Sequence, residues 1–463
     1  MYTYKRAALL ICLLISALQV CAQQSRPILH LQDLLGQISV RSPELISDSA
    51  SVQIRRSMAQ QTSYNWLPSL KLNYQTDIGS NNNVAGPYVG FGIVPSNSRG
   101  VRTESNTSAV LGDLGIAALE WEIYNFGGYR AQNEVAASEV KVEENRFSVS
   151  KFELQNFGID AYLKLYHFQN MLAIQQKNID RSLEIRQSIR ALARSGLRAG
   201  VDTSIAEAEL SKSRLNKIEL SNQYGQLQLQ LAAISGLKSS DIIPDSTIAA
   251  NLIKHISLLD PVEPDTIGHP GLQYYRSLYQ NSLEKEKLVK KSNAPKIMLE
   301  AAAWGRGSSV DANDHFGSLG EGMGIDRSNY LVGIGITYNL FDIKHKQLQL
   351  HTQKLASDFA LKKLKEQQVF LESSSDRASL EFNTALQRLR EIPHQLRAAE
   401  AAYRQKLSLY KSGLSDMIEL NTALSLLYRA ETDYATAKYT FCRALFQRSV
   451  AQNKVDTFLK SLN

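Results

Sequence analysis

Cysteine is almost absent: three residues in 463, at positions 12, 21 and 442. Two of them fall in an N-terminal segment that reads as removable. Only Cys442 would remain, so no intrachain disulfide can form, and Cys442 reads as a small buried apolar side chain. Proline is missing from Ser96 to Ile243, and glycine is missing between Gly335 and Gly413. The two usual helix breakers are thus withheld from two long stretches. After the N-terminus no run approaches 18 apolar residues, which excludes a membrane-spanning helix. The charge is lopsided only mildly, +7 overall and about +5 without Lys5 and Arg6. The basic residues form no block, so nucleic acid is excluded as a partner. There is no G-x-G-x-x-G, G-x-S-x-G, H-E-x-x-H or P-loop, and His345 and His351 do not share a helical face. No enzyme activity, cofactor or metal site is expected.

The N-terminus carries Lys5-Arg6, an apolar run from Ala7 to Val20, then Cys21-Ala22 and Gln23. That order is a signal peptide over 1–22, cleaved after Ala22. Cys21 raises lipidation as an alternative, but Val20 stands where a lipobox wants Gly, Ala or Ser.

The rest of the chain is organised around residues 129–236. Tyr129–Ser195 reads as one helix with Gly158 as its only glycine, about 100 Å long at 1.5 Å per residue. A turn follows at Gly196–Thr203, where Asp202 or Thr203 can cap the returning helix. Leu220, Tyr224, Leu227, Leu231 and Ile234 then form a heptad seam. A rod of this length must bury its stripe against other rods.

Two segments ahead of this hairpin alternate with period two. Leu70, Leu72 and Tyr74 interleave with Lys71, Asn73 and Gln75. Leu119, Trp121 and Ile123 interleave with Glu120, Glu122 and Tyr124. Gly-, Asn- and Ser-rich residues 76–112 read as a loop between them. After a proline-bearing linker the pattern restarts. Pro270-Gly271-Leu272 repeats Pro43-Glu44-Leu45, and Pro295-Lys296-Ile297 repeats Pro68-Ser69-Leu70 at the same interval. A second loop is expected at 305–329, a second long helix at Ile343–Tyr410 with a kink or break at Pro393, and a turn at Gly413. The last helix carries a heptad at Ala423, Leu427, Ala430, Tyr434, Ala437 and Phe441. The domain reading is therefore a first repeat at 23–250, with strands 67–75 and 114–124 and hairpin 129–236. A second repeat at 251–463 has strands 296–304 and 330–339 and hairpin 343–458.

Each strand is about nine to eleven residues with one apolar face, the length that crosses a bilayer when tilted. Four strands cannot close a barrel, and open edges are forbidden in lipid. Three chains would supply twelve strands, an even number. Lys71, Asn73, Glu120 and Glu122 would then line the lumen. A half-buried soluble sheet is the alternative origin of such alternation, but nothing in the sequence supplies its second layer.

The chain resembles the TolC-like outer-membrane efflux protein family along nearly its whole mature length. The matching residues are the strand starts at Pro68 and Pro295, and the strand ends at Phe126-Gly127-Gly128 and Phe341-Asp342. The helix turns at Gly200-Val201-Asp202 and Tyr410-Lys411-Ser412-Gly413 also match. The resemblance implies a mixed α and β membrane protein: a homotrimer with a twelve-stranded barrel in outer-membrane lipid and a twelve-helix periplasmic tunnel. It implies an exit duct for tripartite efflux or type I secretion. A periplasmic adaptor would dock at Arg198, Gly200, Val201, Asp202, Gly413 and Leu414. An inner-membrane pump of RND, MFS or ABC type would supply the energy. Tyr410, Gly413, Ser415 and Glu419 match positions around the family's periplasmic aperture, although Ser415 and Thr422 replace an arginine and an acid found in the family. A periplasmic coiled-coil adaptor protein is the rival reading, and Glu419 as an ordinary solvated helix charge is the rival for that residue.

Overall fold

The computed structural model describes residues 28–80, 82, 104–196, 199–254 and 267–462. The signal-peptide reading, Cys21 and Arg198 lie outside these residues. In chain order the elements are α1 (Leu31–Arg41), α2 (Pro43–Ser63), β1 (Ser69–Ser80), β2 (Ala109–Tyr124), α3 (Gly128–Arg194), α4 (Gly200–Ser235) and α5 (Ile248–Lys254). Then follow α6 (Pro270–Ser292), β3 (Lys296–Ser308), β4 (Arg327–Thr337), α7 (Ile343–Lys411), α8 (Met417–Ala451) and α9 (Val455–Lys460). The chain folds into two compact units, each drawn from both halves of the sequence.

One unit spans Met1–Ile54, Lys141–Leu278 and Ala360–Asn463, and its described residues are mainly helical. Its core gathers Leu34 and Ile38 of α1, Ile159 and Leu163 of α3, Leu231 of α4, Leu252 of α5, Phe441 and Phe446 of α8, and Phe458 of α9. Fully burying each such side chain stabilises the fold by about 1.5–3 kcal/mol. Gly158, in the interior of α3, has a packing reason. A Cβ at Gly158 would lie 2.7 Å from Cδ1 of Ile38, so α1 can cross α3 closely only there. The α4 seam is buried at Leu227 and Leu231, with Tyr224 and Ile234 packed against the same core. The α8 heptad buries Ala423, Leu427, Ala430, Ala437 and Phe441.

Two expectations need correction here. α4 begins at Gly200 with Ala199 as N-cap and no side-chain cap, so Asp202 lies within the first turn. The Thr203 hydroxyl donates to Gly200 O at 2.6 Å, inside the helix it was expected to precede. α7 runs through Pro393 without a break, which removes the second of the two outcomes expected there, a kink or a break. A single missing N–H does not end a helix that packs apolar neighbours such as Ile392 and Ala399 on either side of it.

The other unit, Arg55–Val140 and Tyr279–Phe359, contains the sheet. Its four strands are antiparallel in the order β1-β2-β3-β4. The two sequence halves join where β2 pairs with β3, Gly112 opposite Ser308 through Glu120 opposite Glu300. β1 and β4 form the edges, and every residue of both is exposed. β1 and β3 run on to Ser80 and Ser308, and β2 starts at Ala109. These extensions lack apolar alternation, because backbone pairing such as Thr76 with Asp113 holds them rather than side-chain pattern. β4 ends at Thr337, and Tyr338 instead lies under the Lys346 ammonium.

Candidate conduit and its closing turn

The register sorts the strand residues onto two faces, since directly opposed residues share a side. On one face lie Lys71, Asn73, Gln75 and Asp77 of β1, Glu120 and Glu122 of β2, and Lys296, Glu300 and Arg306 of β3. Arg327 and Asn329 of β4 join them, with Leu114, Ile116, Met298, Trp304 and Leu331 interspersed on the same face. All four sequence-predicted lumen residues, Lys71, Asn73, Glu120 and Glu122, therefore fall on one side. Ion pairs lace this face: Lys71 Nζ stands 3.7 Å from Glu120, and Lys296 Nζ donates to Glu122 at 2.7 Å. Lys296 and Glu300 were not singled out in the sequence; their alternation with Ile297 and Leu299 carried the signal.

The opposite face holds Leu70, Leu72 and Tyr74, Leu119 and Trp121, Ile297 and Leu299, and Tyr330, Val332, Ile334 and Ile336. Leu72 is 77 % exposed and Ile334 71 %. Leu70, Val332 and Ile336 on this face are exposed as well. Two unpaired edges and an uncovered apolar side are what a fragment of a membrane barrel must have, and what a soluble sheet avoids.

The second candidate region is the α7–α8 turn. Gly413 adopts φ of 84°, which ends α7 and lets Leu414 N–H donate to Leu409 O at 2.9 Å. Asp416 caps α8, its carboxylate accepting from Glu419 N–H at 2.8 Å. Glu419 in turn accepts from the Ser415 hydroxyl and, at 3.0 Å, from Lys406 across the turn. The Ser415 hydrogen bond first, then Lys406, hold the Glu419 carboxyl below the ordinary carboxylate range. Lys406 was legible, because it and Glu419 stand about equally far from Gly413 on antiparallel helices.

Tyr410 is only 2 % exposed. It packs with Ile185, Ile189, Met417, Leu420 and Leu424 in a second helical core. The structure places it under the turn, not on a surface. Leu414 is exposed at the turn, as is Val201 in the first turn of α4, where Asp202 supplies the acidic group. Gly200 is helical rather than left-handed. Among the described residues no group of three or more His, Cys, Asp or Glu could hold a metal, and no helix is long and apolar enough to cross a membrane.

An open antiparallel sheet with an uncovered apolar side, in a chain dominated by helices of 67 and 69 residues, defines an outer-membrane channel subunit. Solved structures share the fold. The fold is similar to the outer membrane channel CmeC of Campylobacter jejuni, with a TM-score of 0.72, 13% identity, and 94% of this chain and 90% of that one covered. It is also similar to the outer membrane protein VceC of Vibrio cholerae, with a TM-score of 0.70, 14% identity, and 93% and 95% covered. A third likeness is to the open state of the MtrE outer membrane channel of Neisseria gonorrhoeae, at 0.66 and 16%, with 92% and 89% covered. The chain belongs to the outer membrane efflux protein family, which matches residues 34–237 and 277–447. A curated relative, outer membrane efflux protein BepC of Brucella suis biovar 1 (strain 1330), is 23% identical over 238 residues, 50% of this chain and 48% of the relative. The chain thus aligns with about half the length of that relative. The family is one of transport channels, not enzymes, and it puts this chain in the outer membrane with its helices in the periplasm. The periplasmic adaptor reading is thereby set aside.

Proposed function

We propose that three copies of this chain pool β1–β4 into one twelve-stranded barrel and their long helices into a hollow periplasmic stem. The assembly is a passive exit duct for a tripartite efflux pump or a type I secretion system. The observation that carries this reading is the sheet itself: both edges open and one side apolar, with Leu70, Leu72, Val332, Ile334 and Ile336 exposed on it. Such a sheet is stable only when its edges meet strands of other copies and its apolar side meets lipid. The face bearing Lys71, Asn73, Glu120 and Glu122 then lines water. The repetition of helix, strand, strand and helical hairpin supports two copies of one unit, 23–250 and 251–463.

A periplasmic adaptor docks at the helix turns, on Arg198, Gly200, Val201 and Asp202 and on Gly413 and Leu414. An inner-membrane pump of RND, MFS or ABC type supplies the energy. Exposure of Val201 and Leu414 supports those turns as contact points. Glu419 faces a narrow aperture in three copies, and opening breaks its contacts to Ser415 and Lys406 as the hairpin untwists, a two-state change biased by the adaptor.

Reconstitution in planar bilayers tests the duct. The purified protein should need detergent, run as a heat-sensitive oligomer and give stepwise conductance. A monomer that is soluble without detergent and never conducts would end the reading. Glu419→Ala should leave the oligomer intact and alter single-channel conductance or its cation preference; unchanged conductance removes Glu419 from the aperture.

A further inference from the structure

The connection between β3 and β4 does not stand clear of the sheet. It folds back over the apolar side. A Cβ on Gly305 would lie 2.5 Å from Cγ2 of Ile325, and one on Gly307 would overlap the carbonyl oxygen of Gly324. Gly115, directly opposite Gly305, has Cδ1 of the same isoleucine 3.9 Å from the position of its missing Cβ. A Cβ direction marks the side of the sheet, and these residues share a side with Leu72, Tyr74 and Val332. The loop therefore crosses the outer side, not the mouth of the polar one.

The sequence of the sheet shows why a cover is needed there. One rung above Tyr74 the apolar side turns polar, with Thr76, Asp113 and Gly307 in register. Asp113 is nonetheless only 5 % exposed, its carboxylate accepting from the Tyr74 hydroxyl at 3.1 Å. An acid on a lipid-facing wall is costly unless protein shields it. The glycines leave room for the loop to do so.

The loop also satisfies much of its own backbone. Ser309 N–H donates to Leu111 O at 2.8 Å, and Leu111 N–H donates to the Ser309 hydroxyl at 2.9 Å. Gly317 N–H donates to Ser309 O, Asp326 N–H to Arg306 O, and Ser308 N–H to the Asp326 carboxylate. Ser318 and Glu321 close a capping box on the short turn Leu319–Met323. Irregular backbone is excluded from the hydrocarbon itself, so the loop's backbone lies at the interface, against the sheet, with only side chains reaching lipid. Leu319, Met323 and Ile325 are left exposed, at 40 %, 62 % and 61 %. Ile325 and the Tyr74 ring both approach the Cβ position of Gly115, at 3.9 and 3.8 Å, so the loop meets the sheet at an aromatic of the kind that forms an outer girdle.

We propose that this loop is an interfacial anchor: it lies along the outside of the barrel wall and sets Leu319, Met323 and Ile325 among the acyl chains of the outer leaflet. This rests on the barrel reading above and extends the apolar band that β1–β4 begin. The partner is lipid hydrocarbon, continuous with that band, and the loop does not lid the lumen.

The test labels introduced cysteines, on a Cys442→Ala background, with an environment-sensitive fluorophore in the full-length oligomer, reconstituted with brominated phospholipid. Met323→Cys should be quenched by the brominated chains, as Leu72→Cys is, and little by aqueous iodide. Asn313→Cys, at the polar tip of the loop, should behave the other way. Gly307→Ala, added to Met323→Cys, should displace the loop and raise iodide quenching severalfold. Labelling Met323→Cys should leave single-channel conductance unchanged. A lipid-quenched Leu72→Cys beside an iodide-quenched Met323→Cys overturns the anchor and leaves the barrel standing. A conductance change on labelling Met323→Cys puts the loop at the mouth and also overturns it. Loss of lipid quenching at Leu72→Cys overturns the barrel reading, and the anchor with it.

Discussion

The helical unit and the sheet treat the same side chains in opposite ways. Leu231, Phe441 and Phe446 are fully buried in the helical core, yet Leu72, Val332 and Ile334 stand out on the strands. The helical unit carries a core of its own within a single chain. The sheet has none and depends on a solvent other than water. Hydropathy alone cannot separate these cases; only the period of the pattern and the number of layers can.

The sharpest way to break this contrast is to put a charge into each environment. Leu227→Asp, in the buried α4 seam, should have the largest effect, because an unpaired buried carboxylate is uncompensated. We expect loss of most of the folded oligomer, scored by its yield on unheated gels. Leu72→Arg should be milder, costing about 2–4 kcal/mol in a bilayer, while helical circular dichroism stays unchanged. If Leu72→Arg melts the helices too, the two regions are not separate cores.

A third variant probes polar ties inside the helical unit. Arg181 of α3 makes two hydrogen bonds, at 2.8 and 2.7 Å, to Glu431 of α8. Glu431 is mostly buried, so Arg181→Ala should cost about 1.5–3 kcal/mol, read as a lower thermal midpoint. Arg181→Lys should recover part of it, since lysine restores charge but not the two-pronged geometry.

The smallest effect concerns acid. His167 of α3 is stacked on Tyr439 of α8, ring centroids 4.7 Å apart. Burial first, then Lys164, lower its pKa from 6.5 to about 4. The unfolded chain therefore takes up a proton here before the folded one does. The stabilising contribution is whole above pH 6.5 and fades as the pH falls toward 4. His167→Phe should flatten stability in that window, measured by melting at a series of pH values. An unchanged slope would assign the acid sensitivity elsewhere.

Much of this was readable in the residues. The glycine- and proline-free stretches gave the long helices nearly to the residue, and period-two alternation gave the strands and their polar side. What escaped was held by backbone or by distance. β1 continues through Thr76 and Asp77 because its ladder to β2 continues, and no side-chain pattern records that. Asp113 fell between the expected loop 76–112 and the expected strand 114–124; it is a buried acid because a segment some two hundred positions later covers it. Arg181 and Glu431 are equally remote in sequence. Tyr410 could be matched to a family position, but the sequence could not show that its ring turns inward.

The two open borders of the sheet have a consequence for how the protein is made. A chain newly delivered to the periplasm carries rows of unsatisfied amide and carbonyl groups on β1 and β4, flanked by bare hydrocarbon. Left in water, those rows invite pairing with any extended polypeptide nearby. Transit across the periplasm must therefore be brief or escorted by a chaperone. The helices, which need no membrane to mature, are free to fold first.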